Sequence, residues 1–550
     1  MKQIFTYLLL SVFTLSAVVA QNRYDDEIFT EVEVTSDVTY GVNATVLAFS
    51  IFGEAIPEEL KMDVYQPVGD SESERPVVLV WHTGNFLPNV TNAAITGTKT
   101  DSSAVEICTQ LARRGFVAAS CTYRKGWNPL AVTQPERALG LIQAAYRGVQ
   151  DGRTAIRFIK KTVAEEGNPY GVDTTKMVMW GNGTGGYLVL GTNGLSNYSE
   201  IIQTSNPAGK FLLDLDMNGV PETPMVVPAY HGDINGEVLS VTPDDAFGLP
   251  AGDTTTYPNH VQYTNDYQLT VNVGGALGDI SWLNDQAIPI ISVQSIDDQF
   301  APYNDGILRV PNTGDPIVQV QGAQQIGMVQ EASGINQPWK DFMFNDAVTM
   351  EAMANAATAG HPYYEGSYAW KSPNNSGGED EGVVIDWWVP TSLSPPILPN
   401  FPNGVPWNQL PHPTDDTDMT SFHEEGLELN ENMSAEKARA NIAKIMDYVI
   451  PRACITLELG CASVDVRDLL SNDLVELAPN PSRGNVLINS PADQPMLDLE
   501  VYNMEGRLVL TQRNVNQAQY SLDLASEMPG MYLVKIYLDE GVVVKKLIIE

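Results

Sequence analysis

Two rhythms of hydrophobic and polar positions divide this chain. FTEVEVTSDVTY and LKMDVYQP, within residues 28–67, alternate apolar and polar side chains, which predicts half-buried strands. PVVLVW (76–81), FVAASC (116–121), KMVMWG (176–181), PMVVPAYHG (224–232) and IPIISVQS (288–295) carry continuous apolar runs, the pattern of strands covered on both faces. Between them VEICTQLARRGF (105–116), roughly residues 136–165, GGYLVLG (185–191) and SAEKARANIAKIMDYVI (434–450) have helical spacing. The last of these opens on Ser434 with Lys437, not Glu, three residues on, so its capping box is incomplete. Strands alternating with helices predict an α/β domain with a doubly wound, mostly parallel sheet. Residues 301–420 are rich in Pro, Gly and Asn, hold Trp339, Trp370, Trp387, Trp388 and Trp407, and lack strong periodicity. That span reads as a large insertion, a lid or binding region, its tryptophans forming either a ligand platform or a satellite core.

From residue 474 the rhythm changes. VLINS (486–490), LDLEVYN (497–503), RLVLTQ (507–512), MYLVKIYL (531–538) and VVVKKLII (542–549) are short alternating runs separated by turns, which predicts a small all-β sandwich. At the other end, Lys2, the apolar stretch Ile4 to Phe13 and Ala17-Val18-Val19-Ala20 read as a cleaved signal peptide over 1–20. The expected organisation is therefore a signal peptide, an α/β domain over 21–462, a linker over 463–473 and a β-domain over 474–550. No later run is apolar for the length a bilayer needs, so no transmembrane segment is expected.

Charge and cysteines narrow the partners. The net charge is -37, and loss of Lys2 makes it -38. Residues 474–550 hold 10 acids and 6 bases, so the excess lies in the α/β part. Such a chain repels phosphates, which excludes nucleic acid and anionic membrane as natural partners. Export permits disulfides. Cys108 with Cys121, and Cys454 with Cys461, are plausible local bridges, although four cysteines allow three pairings and buried Cys108 and Cys121 can serve as small hydrophobes.

The C-terminal motifs carry a specific resemblance. LAPNPSRG (477–484), LEVYNMEGRLV (499–509), SLDLASEMPGMYLVKI (521–536) and the terminal VVVKKLIIE resemble the type A C-terminal sorting domain of the type IX secretion system. The resemblance implies handling by that secretion machinery in a Gram-negative bacterium, passage through the periplasm and across the outer membrane, and removal of this domain. It also implies a secreted or cell-surface cargo, often attached to surface lipopolysaccharide.

The stretch MVMWGNGTGGYLVL (177–190) resembles the nucleophile elbow of the α/β-hydrolase superfamily, the carboxylesterase and prolyl-oligopeptidase-like group. In its G-x-S-x-G frame the serine position is Gly183, which has no oxygen to acylate. Thr184 takes over if the turn slips by one residue; otherwise the site has no covalent nucleophile. A Gly-rich strand-to-helix turn can also cradle phosphate, but no acidic partner ends a following strand. His82-Thr83-Gly84-Asn85-Phe86 resembles the oxyanion segment, assigning Thr83 and Gly84 to that role, with two of its usual glycines replaced. IPIISVQSIDDQFAPY resembles the acid loop, which implies Asp298 as triad acid, with Asp297 beside it. His423 stands before the final helix, where the family places its base, and His412 and His361 are the alternatives. The frame leads to the expectation that Gly183→Ser creates or raises esterase activity.

Asp214, Asp216 and Asn218 in DLDMNG fit the opening of a calcium loop whose twelfth position is Met225, so at most a structural calcium and no other cofactor is expected. Two functions stay open: an ester hydrolase acting on a small ester or glycan-linked substrate, and an inactive pseudoenzyme acting as a surface ligand-binding or adhesion protein.

Overall fold

The computed structural model describes residues 22–89, 91–283, 288–298, 300–310, 313–371, 385–394, 403–412, 420–461, 474–503, 508–512, 515–538 and 541–550. The signal peptide and the linker lie outside them. The chain divides into two compact units, within residues 1–463 and 464–550.

In the first unit, continuous apolar runs become the middle of one eight-stranded sheet. Its strands are β1 (Val32–Thr45), β2 (Ile56–Pro67), β3 (Arg75–Trp81), β4 (Val117–Cys121), β5 (Val172–Asn182), β6 (Leu269–Val273), β7 (Ile290–Ser295) and β8 (Ser367–Trp370). They lie in the order β1-β2-β4-β3-β5-β6-β7-β8. From β4 to β8 every pairing is parallel, and β2 pairs antiparallel with both β1 and β4. Every residue of β3, β4, β6 and β7 is buried, the expected result for runs that offer apolar side chains to both faces. Helices α1 (Ser102–Arg113), α2 (Gln134–Glu165), α3 (Thr184–Gly194), α4 (Ala323–Ser333), α5 (Phe422–Leu429) and α6 (Ala435–Thr456) are the longer helices that bear on the site. Thr133 and Glu136 form a complete capping box at the start of the 32-residue α2. This is a doubly wound α/β architecture with a mostly parallel sheet.

Three sequence readings need correction. Part of the span 301–420 expected as insertion is sheet core: it supplies β8 and α4, together with a hairpin of strands Asp305–Arg309 and Pro316–Gln321. Ser367–Trp370 is fully buried but too short to show a period. PMVVPAYHG is not a central strand. It forms a two-residue bridge at Thr223–Pro224 and a short helix, Pro228–His231, because Pro228 cannot donate to a ladder but suits the first helical turn. Strand β6 was not anticipated. Among the tryptophans, Trp407 packs with Leu410 and Phe422 in a satellite core, while Trp339 and Trp370 are buried.

The second unit is all β. Glu476–Ala478, Asn485–Asn489 and Gln519–Asp523 form one antiparallel sheet. Leu508–Gln512, Asp498–Asn503, Gly530–Leu538 and Gly541–Ile549 form another. Alternate residues such as Val486, Ile488, Leu499, Val501, Val534 and Ile536 bury together, so the period-2 pattern is the core pattern.

Candidate functional site

The C-terminal ends of β3, β5 and β6 meet at one sharp turn. Gly183, between β5 and α3, has φ 50° and ψ -111°, a conformation that side chains strongly disfavour. Its N–H donates to the Val273 carbonyl at 2.7 Å, and its own carbonyl accepts from Gly186 N–H at 2.9 Å. The Gly185 N–H donates to the His82 carbonyl at 3.1 Å. The turn therefore has the elbow geometry, locked to β3 and β6, with no side chain at its apex.

The loop after β3 closes over that turn. The Asn85 N–H donates to Thr184 Oγ1 at 2.5 Å. Thr184 thus holds the loop to the helix, and the same contact occupies a backbone donor an oxyanion hole would need. Tyr123 donates from its hydroxyl to the Thr83 carbonyl at 2.9 Å and stacks on His82, ring centroids 4.5 Å apart. Burial keeps the His82 imidazole neutral by pushing its pKa well down.

Asp298 follows β7. Its Oδ1 accepts from the Phe300 and Ala301 N–H groups, both at 2.8 Å, while Oδ2 is buried without a hydrogen-bond partner. Burial pushes this carboxyl up to about 7, against the two backbone donors. No described histidine is hydrogen-bonded to it. His423, in the first turn of α5, accepts at Nδ1 from Trp388 Nε1 at 3.0 Å. His412 pairs through Nε2 with the Ala93 carbonyl at 3.0 Å. His361 lies near Tyr303, ring centroids 5.8 Å apart. Of the residues proposed from sequence, the structure gathers Thr83, Gly84, Gly183 and Thr184 around one cavity and adds His412 to its wall, whereas His423 and Asp298 are not in its lining.

That cavity holds about 370 Å³ and mixes polar with apolar lining. Asp386, Glu425, Glu428 and Trp388 also line it. A second, mostly apolar cavity of about 80 Å³ runs beneath the hairpin towards α2, between Phe86, Ile142, Val149, Leu195, Trp282 and Val318. Asn85, Thr184, Tyr187, Leu308 and Arg309 line both, so the cavities meet beside the elbow. Sequence reasoning missed Tyr187 and Arg309; Tyr187 sits one turn into the elbow helix and was visible there.

Elsewhere, Asp214 and Asp216 lie in a surface turn, where Asp214 accepts from the Asn218 and Gly219 N–H groups at 3.0 and 2.8 Å. Cys454 and Cys461 are bonded; Cys108 and Cys121 are buried free thiols, so the second expected bridge is not formed. Both belong to the packed face of β4 and α1, where they act as small hydrophobes.

Asp298 gives a pH prediction. A carboxyl held near 7 in the fold and near its ordinary value when unfolded keeps the folded state more protonated. Its effect on stability is therefore increasingly unfavourable as pH rises from about 4 to about 7. Asp298→Asn removes this dependence. Thermal melts are expected to show the variant gaining on the wild type by about 2–4 kcal/mol between pH 4 and pH 8. A difference that does not change with pH would refute the assignment.

No curated protein matches this chain. Solved structures with local similarity include a thermophilic esterase from the planctomycete Thermogutta terrifontis, at 16% identity over 51% of this chain and 77% of that one, TM-score 0.26. A truncated carbohydrate esterase from gut microbiota has 11% identity over 56% and 86%, TM-score 0.27. No described helix is long and apolar enough to cross a membrane. Residues 476–550 match the secretion system C-terminal sorting domain, and the chain is accordingly a type IX secretion cargo, delivered to the cell surface or beyond.

Proposed function

We propose that the α/β unit is a non-hydrolytic binding protein for small molecules, presented outside the cell on a hydrolase frame. One observation carries this reading: the apex of an otherwise complete elbow is Gly183, so no alcohol stands where an acyl group would be received. The two repairs available to an ester hydrolase are both weakened. Thr184 Oγ1 accepts the Asn85 N–H, and Asp298 has no imidazole to orient. After removal of the sorting domain the unit is held at the surface through lipopolysaccharide; co-fractionation with outer membranes in cells with and without that lipid tests this step.

The purified protein is expected to resist fluorophosphonate labelling and to leave short p-nitrophenyl esters at the uncatalysed rate. Labelling that disappears in Thr184→Ala would overturn the reading in favour of a threonine hydrolase. Gly183→Ser is expected to remain inactive, contrary to the expectation from the frame alone, because the structure pairs no described base with Asp298. The substitution should also cost about 1–3 kcal/mol from a side chain at positive φ. Turnover in Gly183→Ser that is abolished by adding His412→Ala would instead identify His412 as a latent base.

A further inference from the structure

Three metal-ligating side chains meet where the two ends of the α/β unit come together. Cys454 lies in the last turn of α6, and Cys461 follows it as the last described residue of that unit. Asp25 belongs to the N-terminal arm, which is tied to the end of α1. There the Tyr24 N–H donates to the Arg114 carbonyl at 2.9 Å and the Phe29 N–H to the Arg113 carbonyl at 3.0 Å. An Asp25 carboxylate oxygen and the two Sγ atoms all lie within 4.8 Å of one another. Among the described residues no other group of three His, Cys, Asp or Glu side chains brings its ligand atoms so close. Both cysteines are buried and Asp25 is half-buried, so water reaches the group from the Asp25 side. None of the three lines either cavity.

The two sulfurs are bonded to each other. That bond gains nothing from a carboxylate beside it, and once it is opened the carboxylate repels each thiolate. A divalent cation reverses the sign, because it draws three negative ligands to one point. We propose that Cys454, Cys461 and Asp25 form a redox-gated zinc site, occupied when the disulfide is reduced. Two thiolates and a carboxylate are a zinc donor set, and water supplies the fourth position from the solvent side. Tetrahedral coordination, at about 2.3 Å to sulfur and about 2.1 Å to oxygen, spreads the sulfurs to about 3.8 Å and sets each about 3.6 Å from the carboxylate oxygen. The two Cα atoms, 5.9 Å apart, leave the sulfurs room to part by side-chain rotation. The reductant is a dithiol. It passes two electrons and two protons to the Cys454–Cys461 bond and becomes a cyclic disulfide itself. The two thiols then release their protons as zinc takes both thiolates. Either bridge, disulfide or zinc, holds Cys461 to α6; zinc alone adds the N-terminal arm. The site is independent of the binding function proposed above.

The test uses the full folded chain, reduced with a dithiol that is then removed without air. Zinc chloride is titrated in competition with a chromophoric chelator, and cadmium chloride alone for its thiolate-to-metal ultraviolet band. One metal is expected to bind per reduced chain, with the cadmium band, and none to the untreated, disulfide-bonded chain. The double variant Cys454→Ser, Cys461→Ser is expected to lose both signals, which separates this site from the buried thiols of Cys108 and Cys121. Asp25→Asn keeps shape and disulfide and is expected to weaken zinc at least about tenfold. Zinc uptake by the reduced double variant equal to that of the wild type overturns the proposal, as does Asp25→Asn binding zinc as tightly. A reduced chain that keeps its folded circular dichroism and takes up no metal overturns it too. So does loss of that spectrum on reduction that zinc fails to restore.

Discussion

A Gly185→Ala chain is expected not to reach the native fold of the α/β unit. An added Cβ would sit 2.2 Å from the Trp81 carbonyl oxygen, 2.7 Å from its carbon and 2.8 Å from the Trp81 Cβ. None of these atoms is the free end of a flexible side chain. Trp81 ends β3 and is fully buried, and the neighbouring His82 carbonyl is tied to the Gly185 N–H. Relief would require α3 to lift off the sheet, breaking the contact that defines the elbow. Gly186 is equally confined, since a Cβ there would meet Asn272 Oδ1 at 2.2 Å and Gly275 Cα at 2.8 Å. The expected cost is upwards of about 4 kcal/mol, at the diagnostic end of single-residue effects. Loss of soluble folded protein, or a melting midpoint lowered by 5 °C or more at about 1–2 °C per kcal/mol for a chain of this size, is the readout. A variant melting like the wild type would show that α3 has room to move, and with it that the elbow geometry is not enforced by packing. The glycines flanking the apex are thus retained for the helix-on-sheet approach, which persists whether or not an alcohol stands at the apex.

That distinction also explains what was legible in the sequence. The strands β3, β4, β5 and β7 were readable because burial on both faces demands unbroken apolar runs, and the Gly-rich turn after β5 was readable because only glycine fits beneath Trp81 and beside Asn272. Strand β6, LTVNV, escaped because Thr270 and Asn272 interrupt its apolar run, and Asn272 is there to hold Gly275 at 2.9 Å from its Oδ1. Asp298 follows β7, but which side chains meet it could not be read. Whether a histidine meets Asp298 depends on where Trp388 and Ala93 lie in space, and these residues hold His423 and His412 from elements distant in sequence. Arg309 was hidden for a related reason: its hairpin lay in the stretch taken for an insertion, and only the fold brings it to the elbow.

Arg124→Met is the second large effect expected, and its sign with pH is specific. Arg124 and Asp151 are both fully buried, between the end of β4 and the middle of α2. Arg124 donates from Nε to Asp151 Oδ1 at 2.8 Å and from its backbone N–H to Oδ2 at 2.8 Å, and its Nη2 reaches Gln150 Oε1 at 2.8 Å. Even with these partners, burial holds the Asp151 carboxyl up at about 6. Methionine fills much of the volume but leaves the carboxylate without its counter-charge, which costs about 3–5 kcal/mol for a broken buried pair. Removing the arginine raises the folded-state pKa of Asp151 further above its unfolded value. The loss should therefore be largest at pH 7.5 and shrink towards pH 4, where the carboxyl is protonated in the folded state of wild type and variant alike. Urea denaturation at the two pH values measures it. Adding Asp151→Leu should restore most of the stability at pH 7.5, because the pair as a whole is replaceable by apolar volume while half of it is not. If the double variant is as unstable as Arg124→Met alone, the stabilisation comes instead from the guanidinium's bonds to Gln150 and to the carbonyl of Arg147, and the charge pair itself is incidental.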